Sequence, residues 1–127
     1  MRAFVSELPL GEPARFNPAQ LEALCARVGE VRAETEVAFA LDRISTQLMA
    51  LTPTANGGDG KELQVLLRKL VDDANLIGMA TLARVAQDVL NCLATGDATA
   101  FAATFARLDR VGDRSIHAVW DLEDLPM

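Results

Sequence analysis

Few residues of this chain are of the types that carry chemistry. It has one histidine, His117, and two cysteines, Cys25 and Cys92. Hydrolytic and redox sites need a nucleophile paired with a base, a cluster of metal ligands or a glycine loop that cradles phosphate. A lone imidazole supplies none of these. At about 100° per residue, His117 falls roughly 160° around its predicted helix from Phe101, on the solvated side. As structure it is an exposed polar residue. As chemistry it is a group that titrates near neutral pH or accepts a phosphoryl group. Cys25 and Cys92 stand at apolar helix positions without CxxC spacing and are expected to be buried, reduced thiols. No catalytic residue, metal set or cofactor is expected.

The stretch ANGGDG, residues 55–60, is rich in glycine but lacks the Lys and Ser or Thr of a P-loop, and it follows a helix rather than a strand. It reads as a flexible hairpin loop. Asp121, Glu123 and Asp124 lack EF-hand spacing and read as a solvated terminus. What remains is LRKLVDDANLIGMATLARVAQ, residues 67–87. A leucine stripe occupies one side, and Arg68, Lys69, Asp72 and Asp73 are expected along the other. Arg68 lies about 140° from Leu63 on a helical wheel, with Lys61, Gln64, Val65, Asp72 and Asn75 on the same outward side.

The elements that position this face follow from periodicity. Residues 1–16 carry Pro9, Gly11 and Pro13 and read as an extended leader whose Phe4, Val5 and Leu10 tuck against the body. In NPAQLEALCARVG, Asn17 suits the N-cap and Pro18 the first helical position, and Gln20 completes a capping-box pattern, so a short helix should run from Pro18 to Gly29. Val37, Leu41, Ile44, Leu48 and Leu51 recur at alternating spacings of four and three, which predicts a helix over 30–51. Pro53 and the glycines that follow place a loop over 52–60. A third helix, 59–76, should bury Leu63, Leu66, Leu67, Leu70 and Ala74. Gly78 marks a break or a tight contact. A fourth, 79–94, should bury Leu82, Val85, Ala86, Val89 and Leu93, ending at Gly96 before Asp97 as the next N-cap. The fifth, 98–120, places Phe101, Phe105, Leu108, Gly112, Ser115 and Val119 on a heptad-like seam, with Val111, Ile116 and Trp120 beside it.

Four long amphipathic helices cannot bury their stripes alone, and the economical solution is an all-α, antiparallel up-and-down four-helix bundle preceded by a short capping helix. The chain of 127 residues is of a size for one domain, 17–122, with a tail at 123–127. Aromatic residues at 5% leave little material for sheets, where they and β-branched residues dominate. A net charge of −6 without a basic stripe argues against nucleic acid. The amino terminus has too short an apolar run for a signal peptide, and no apolar stretch reaches the ~20 residues of a bilayer span, so no membrane partner and a cytoplasmic location are expected.

The order of features in GDGKELQVLLRKLVDDANLIGMATLARVAQDVLNCLATGDATAFAATFARLDRV resembles the histidine phosphotransfer (HPt) family of bacterial phosphorelays, over residues 58 to about 114. The resemblance implies a Gly-Asp loop before the phosphoacceptor helix, an "IG" step at Ile77-Gly78-Met79, a following helix through Leu82 and Ala83, and a last turn at Gly96-Asp97. In its register the phosphoacceptor position falls on Arg68, the lysine position on Val71 and the glycine position on Asp72. A protonated guanidinium has no lone pair with which to attack a phospho-aspartate, and Asp72 brings negative charge towards an acidic receiver pocket.

The resemblance thus implies a signalling module without phosphotransfer. It would bind a response-regulator receiver domain or a histidine kinase through Gln64, Arg68, Lys69, Asp72 and Asn75. Two alternatives stand beside it: phosphotransfer through His117, and a structural homodimer using exposed apolar residues such as Phe39 and Trp120.

Overall fold

The structure is a computed structural model that describes the backbone of residues 17–123 and the side chains of 17–117. All regular structure in this span is helical: α1 (Pro18–Val28), α2 (Glu30–Asn56), α3 (Gly60–Leu76), α4 (Ala80–Thr95) and α5 (Ala98–Glu123). The expected leader with Phe4, Val5 and Leu10, the side chains of Val119, Trp120, Asp121 and Glu123, and residues 124–127 lie outside what is described.

Three of the five described helices, α1, α3 and α5, start at a side-chain cap, whereas α2 and α4 start at Gly29 and Met79 without one. Asn17 accepts a hydrogen bond from the Ala19 amide at 3.0 Å, and Asp59 from the amides of Lys61 and Glu62 at 3.0 and 3.2 Å. Asp97 accepts from Ala100 at 3.0 Å, just after Gly96 closes α4 in the left-handed region. These carboxylates and the Asn17 amide oxygen satisfy donors that a helix start leaves unpaired. The capping box expected at Gln20 does not form. The Asn17 amide donates to the Gly78 carbonyl at 2.6 Å instead, tying the start of α1 to the α3–α4 turn.

That turn needs glycine. Gly78 has φ +79°, and a Cβ there would meet the Asn17 carbonyl oxygen at 2.6 Å. A side chain would therefore pay twice, in backbone strain and in separating α1 from the turn. Of the two expected roles for Gly78, break or tight contact, the second explains why it is buried between Ile77 and Met79.

The main departure from expectation is at Pro53. The loop expected over 52–60 is only the turn Gly57–Asp59, because α2 continues through Pro53 to Asn56. Proline removes one amide donor from the ladder. Here it does so on an exposed face of the last turns, while Leu51 is buried and Ala55 packs against the core. Burial on the opposite side holds the extension.

α2 packs on α3, α3 on α4 and α4 on α5, and α5 returns to α2 along a much thinner seam; α1 lies across α2 and α3. The core combines Leu21 and Leu24 of α1, Val37, Ile44 and Leu51 of α2, Leu63, Leu67, Leu70 and Ala74 of α3, and Leu82, Val85, Ala86 and Val89 of α4 with Leu108 and Val111 of α5. Each fully buried leucine among them contributes about 1.5–3 kcal/mol relative to exposure. Leu41, Leu48, Leu66, Leu93, Phe101 and Phe105 flank this core half-buried rather than inside it. The stripe of α2 is therefore rotated from the expected one, towards Ala33, Ala40 and the polar Gln47, all buried. Where α5 meets α2, Gly112 provides the room: a Cβ there would lie 2.7 Å from Leu48 Cδ2.

Candidate functional site

The outward side of α3 is fixed by its buried side. With Leu63, Leu67, Leu70 and Ala74 turned into the core, Arg68, Lys69, Asp72 and Asn75 are exposed and Gln64 is half-buried. Arg68 therefore projects from the middle of the helix, with two turns on either side to hold it. Among the described residues neither Arg68, Lys69 nor Asp72 enters an ion pair within 4.0 Å. Two cations are thus presented to solvent with their donors uncommitted.

Asp73 behaves differently and departs from the expected outward cluster. One residue beyond Asp72, it is rotated about 100° and reaches α2. Arg43 Nε donates to both carboxylate oxygens at 3.1 and 3.2 Å, and Nη2 donates to Oδ1 at 2.9 Å. Gln47 Nε2 donates to Oδ2 at 2.8 Å. The Asp73 side chain is 15% exposed and that of Arg43 46%. The hydrogen bond that Arg43 donates to Asp73, with the negative charges of Asp73 and Glu36, outweighs desolvation and holds the Arg43 guanidinium above its ordinary pKa. A raised cationic pKa stabilises fully below the unfolded value and is lost only as pH rises through the folded one, far above neutrality. The clamp is therefore intact from the cationic side at any ordinary pH.

Gln47 completes the network at a cost. It is 8% exposed, and its Oε1 is buried with no hydrogen-bond partner among the described residues. The expected stripe ran through Leu48 between Ile44 and Leu51, so periodicity did not mark Gln47, which only the observed rotation of α2 brings inside. Its partner Asp73, thirty positions from Arg43, carried no signal either.

The remaining candidates lie apart from the α3 face. His117 is exposed on α5, with Nδ1 2.8 Å from the Asp113 carbonyl oxygen and 3.8 Å from Asp113 Oδ1. The solvated position read from the wheel is the one observed. Cys25 and Cys92 are half-buried on α1 and α4 and remain free thiols, less enclosed than expected. Among the described residues no group of three or more His, Cys, Asp or Glu is placed to hold a metal ion. No described helix is long and apolar enough to cross a membrane.

The Gly57–Asp59 turn opens onto a hollow of about 680 Å³ bounded by Lys61, Gln64, Leu93 and Ala94. It is shallow, and Asp59, its carboxylate, is already spent on capping α3. Of the residues expected to bind a partner, the hollow touches only Gln64.

Chemically, the α3 face can do one kind of work. A guanidinium and an ammonium can donate to a carboxylate or phosphate, Arg in a bidentate fork, but neither accepts a phosphoryl group while protonated. No family model matches the chain, and no curated protein and no solved structure matches it either.

Proposed function

We propose that the chain is an HPt-like signalling module of a bacterial two-component phosphorelay that acts by binding and does not transfer phosphate. In this reading α2–α5 form an antiparallel four-helix bundle of the HPt type with α1 as its cap, and the protein works in the cytoplasm. The partner is a receiver domain or a histidine kinase, held through Gln64, Arg68, Lys69, Asp72 and Asn75. One observation carries the reading. Arg68 stands exposed at mid-α3, without an ion-pair partner among the described residues, where the resemblance puts the phosphoacceptor. A cation there can engage a partner's carboxylates while being unable to receive their phosphoryl group.

The test is a pull-down from the native cytoplasm with wild-type protein and Arg68→Glu. The reading expects a receiver or kinase domain with the wild type and its loss with the variant. Identical partners with both would remove α3 as the binding face. Incubation with a phosphorylated receiver should leave no acid-labile phosphohistidine, and label on His117 would replace silent binding by transfer.

A further inference from the structure

The thin seam between α2 and α5 leaves a groove of about 310 Å³ whose apolar wall includes Leu48, Met49 and Ile116. Its floor is low because Gly112 has no side chain beneath Leu48. Met49 is 78% exposed, although it is among the larger apolar side chains of the protein. Asp109 and Asp113, one turn apart on α5, edge this groove. Both are exposed, and Asp109 forms no ion pair or side-chain hydrogen bond among the described residues.

The arginines of α5 are set apart from them, while His117 stands one turn from Asp113. On a helical wheel Arg107, Arg110 and Arg114 fall at least about 60° from the nearer of these carboxylates, away from α2. The groove therefore combines an apolar wall with Asp109, which has no ion-pair partner among the described residues, and with Asp113, whose partner on α5 is the His117 imidazole at 3.8 Å.

We infer that the α2–α5 groove is a docking site for a partner's amphipathic helix bearing basic residues beside its apolar face. The apolar face would lie on Leu48, Met49 and Ile116, and the basic residues would meet Asp109 and Asp113. This complementarity follows the helix-in-groove mode, in which apolar anchors supply burial and flanking charges set orientation. A methionine at such a surface also adapts to different anchors, having three rotatable bonds. The site lies on a different pair of helices from the Arg68 face, so either could fail without the other.

Fluorescence anisotropy of a labelled helical peptide repeating Leu-Lys-Lys-Leu-Leu-Lys-Leu, titrated with the full chain, tests this. A peptide with glutamate replacing each lysine serves as its counterpart. The lysine peptide should bind and the glutamate peptide should not. Asp109→Lys/Asp113→Lys should weaken binding at least tenfold, and Met49→Ser severalfold, both with unchanged helical circular dichroism. Glu22→Lys/Glu62→Lys, which changes net charge equally at exposed sites outside the groove, should stay within twofold. Equal weakening by that control would show attraction to net charge alone and overturn the inference, as would absence of lysine-peptide binding. A light-scattering mass twice 13.7 kDa that returns to one chain in Met49→Ser would also overturn it, because the groove's occupant would then be a second copy.

Discussion

Asp72 and Asp73 are neighbours in sequence and face different surroundings on α3. Asp73 is clamped by Arg43 and Gln47 across the α2–α3 seam, and its side chain is largely withdrawn from water. Asp72 stands in solvent on the side of Arg68 and Lys69 with no ion-pair partner among the described residues. The same functional group thus serves cohesion at one position and remains available for recognition at the next. The difference arises from 100° of helical rotation and from what the neighbouring helix offers. Charge on a helix has no assigned role until the buried stripe is fixed.

Replacing Asp73 by alanine should expose this contrast most sharply. It strands the buried Gln47 amide and releases Arg43, and should cost about 2 kcal/mol of unfolding free energy, the usual penalty for an unpaired buried donor plus a partly exposed ion pair. Urea unfolding measures it. A loss below about 0.5 kcal/mol would mean that Asp73 is as dispensable as its neighbour, and the comparison would collapse.

Within the clamp, Gln47→Leu should cost less than about 1 kcal/mol, because it removes the orphaned Oε1 together with one hydrogen bond and leaves the Arg43 fork in place. A loss as large as that of Asp73→Ala would transfer the main role from Arg43 to Gln47. Smallest of all should be Asp72→Ala and Arg68→Glu, each changing stability by no more than about 0.5 kcal/mol, as is usual for solvent-facing positions. A larger effect in the same unfolding experiment would reveal a structural duty on the face assigned to binding.

Other contrasts follow the same logic. Pro53 and the glycines after it carry strong turn chemistry, and the glycines do turn at Gly57–Asp59, but Pro53 stays helical because burial of Leu51 and packing of Ala55 outweigh one missing donor. Gln20 has the right spacing for a capping box, yet the Asn17 amide goes to Gly78, a carbonyl sixty-one positions away that local spacing cannot anticipate. On the α3 face, exposure of Arg68, Lys69, Asp72 and Asn75 was legible, since it needed only the leucine stripe. The inward turn of Asp73 was not, because it depends on where Arg43 arrives on another helix. The acidic edge of the α2–α5 groove was equally hidden, because no α5 periodicity reports the distance to α2.

The amino-acid sequence by itself determined that the described residues are helical, where the helices begin, and, on α3 and α4, which side is apolar; the buried stripe of α2 is rotated from the expected one. Those properties rest on period, capping and backbone freedom within a few residues. Tertiary structure alone decided which charges are spent between helices, which seam is thin and which cations stay uncommitted. Such outcomes depend on groups brought together from distant positions, where the free energy of a hydrogen bond or an ion pair is set by burial and by the partner that packing delivers.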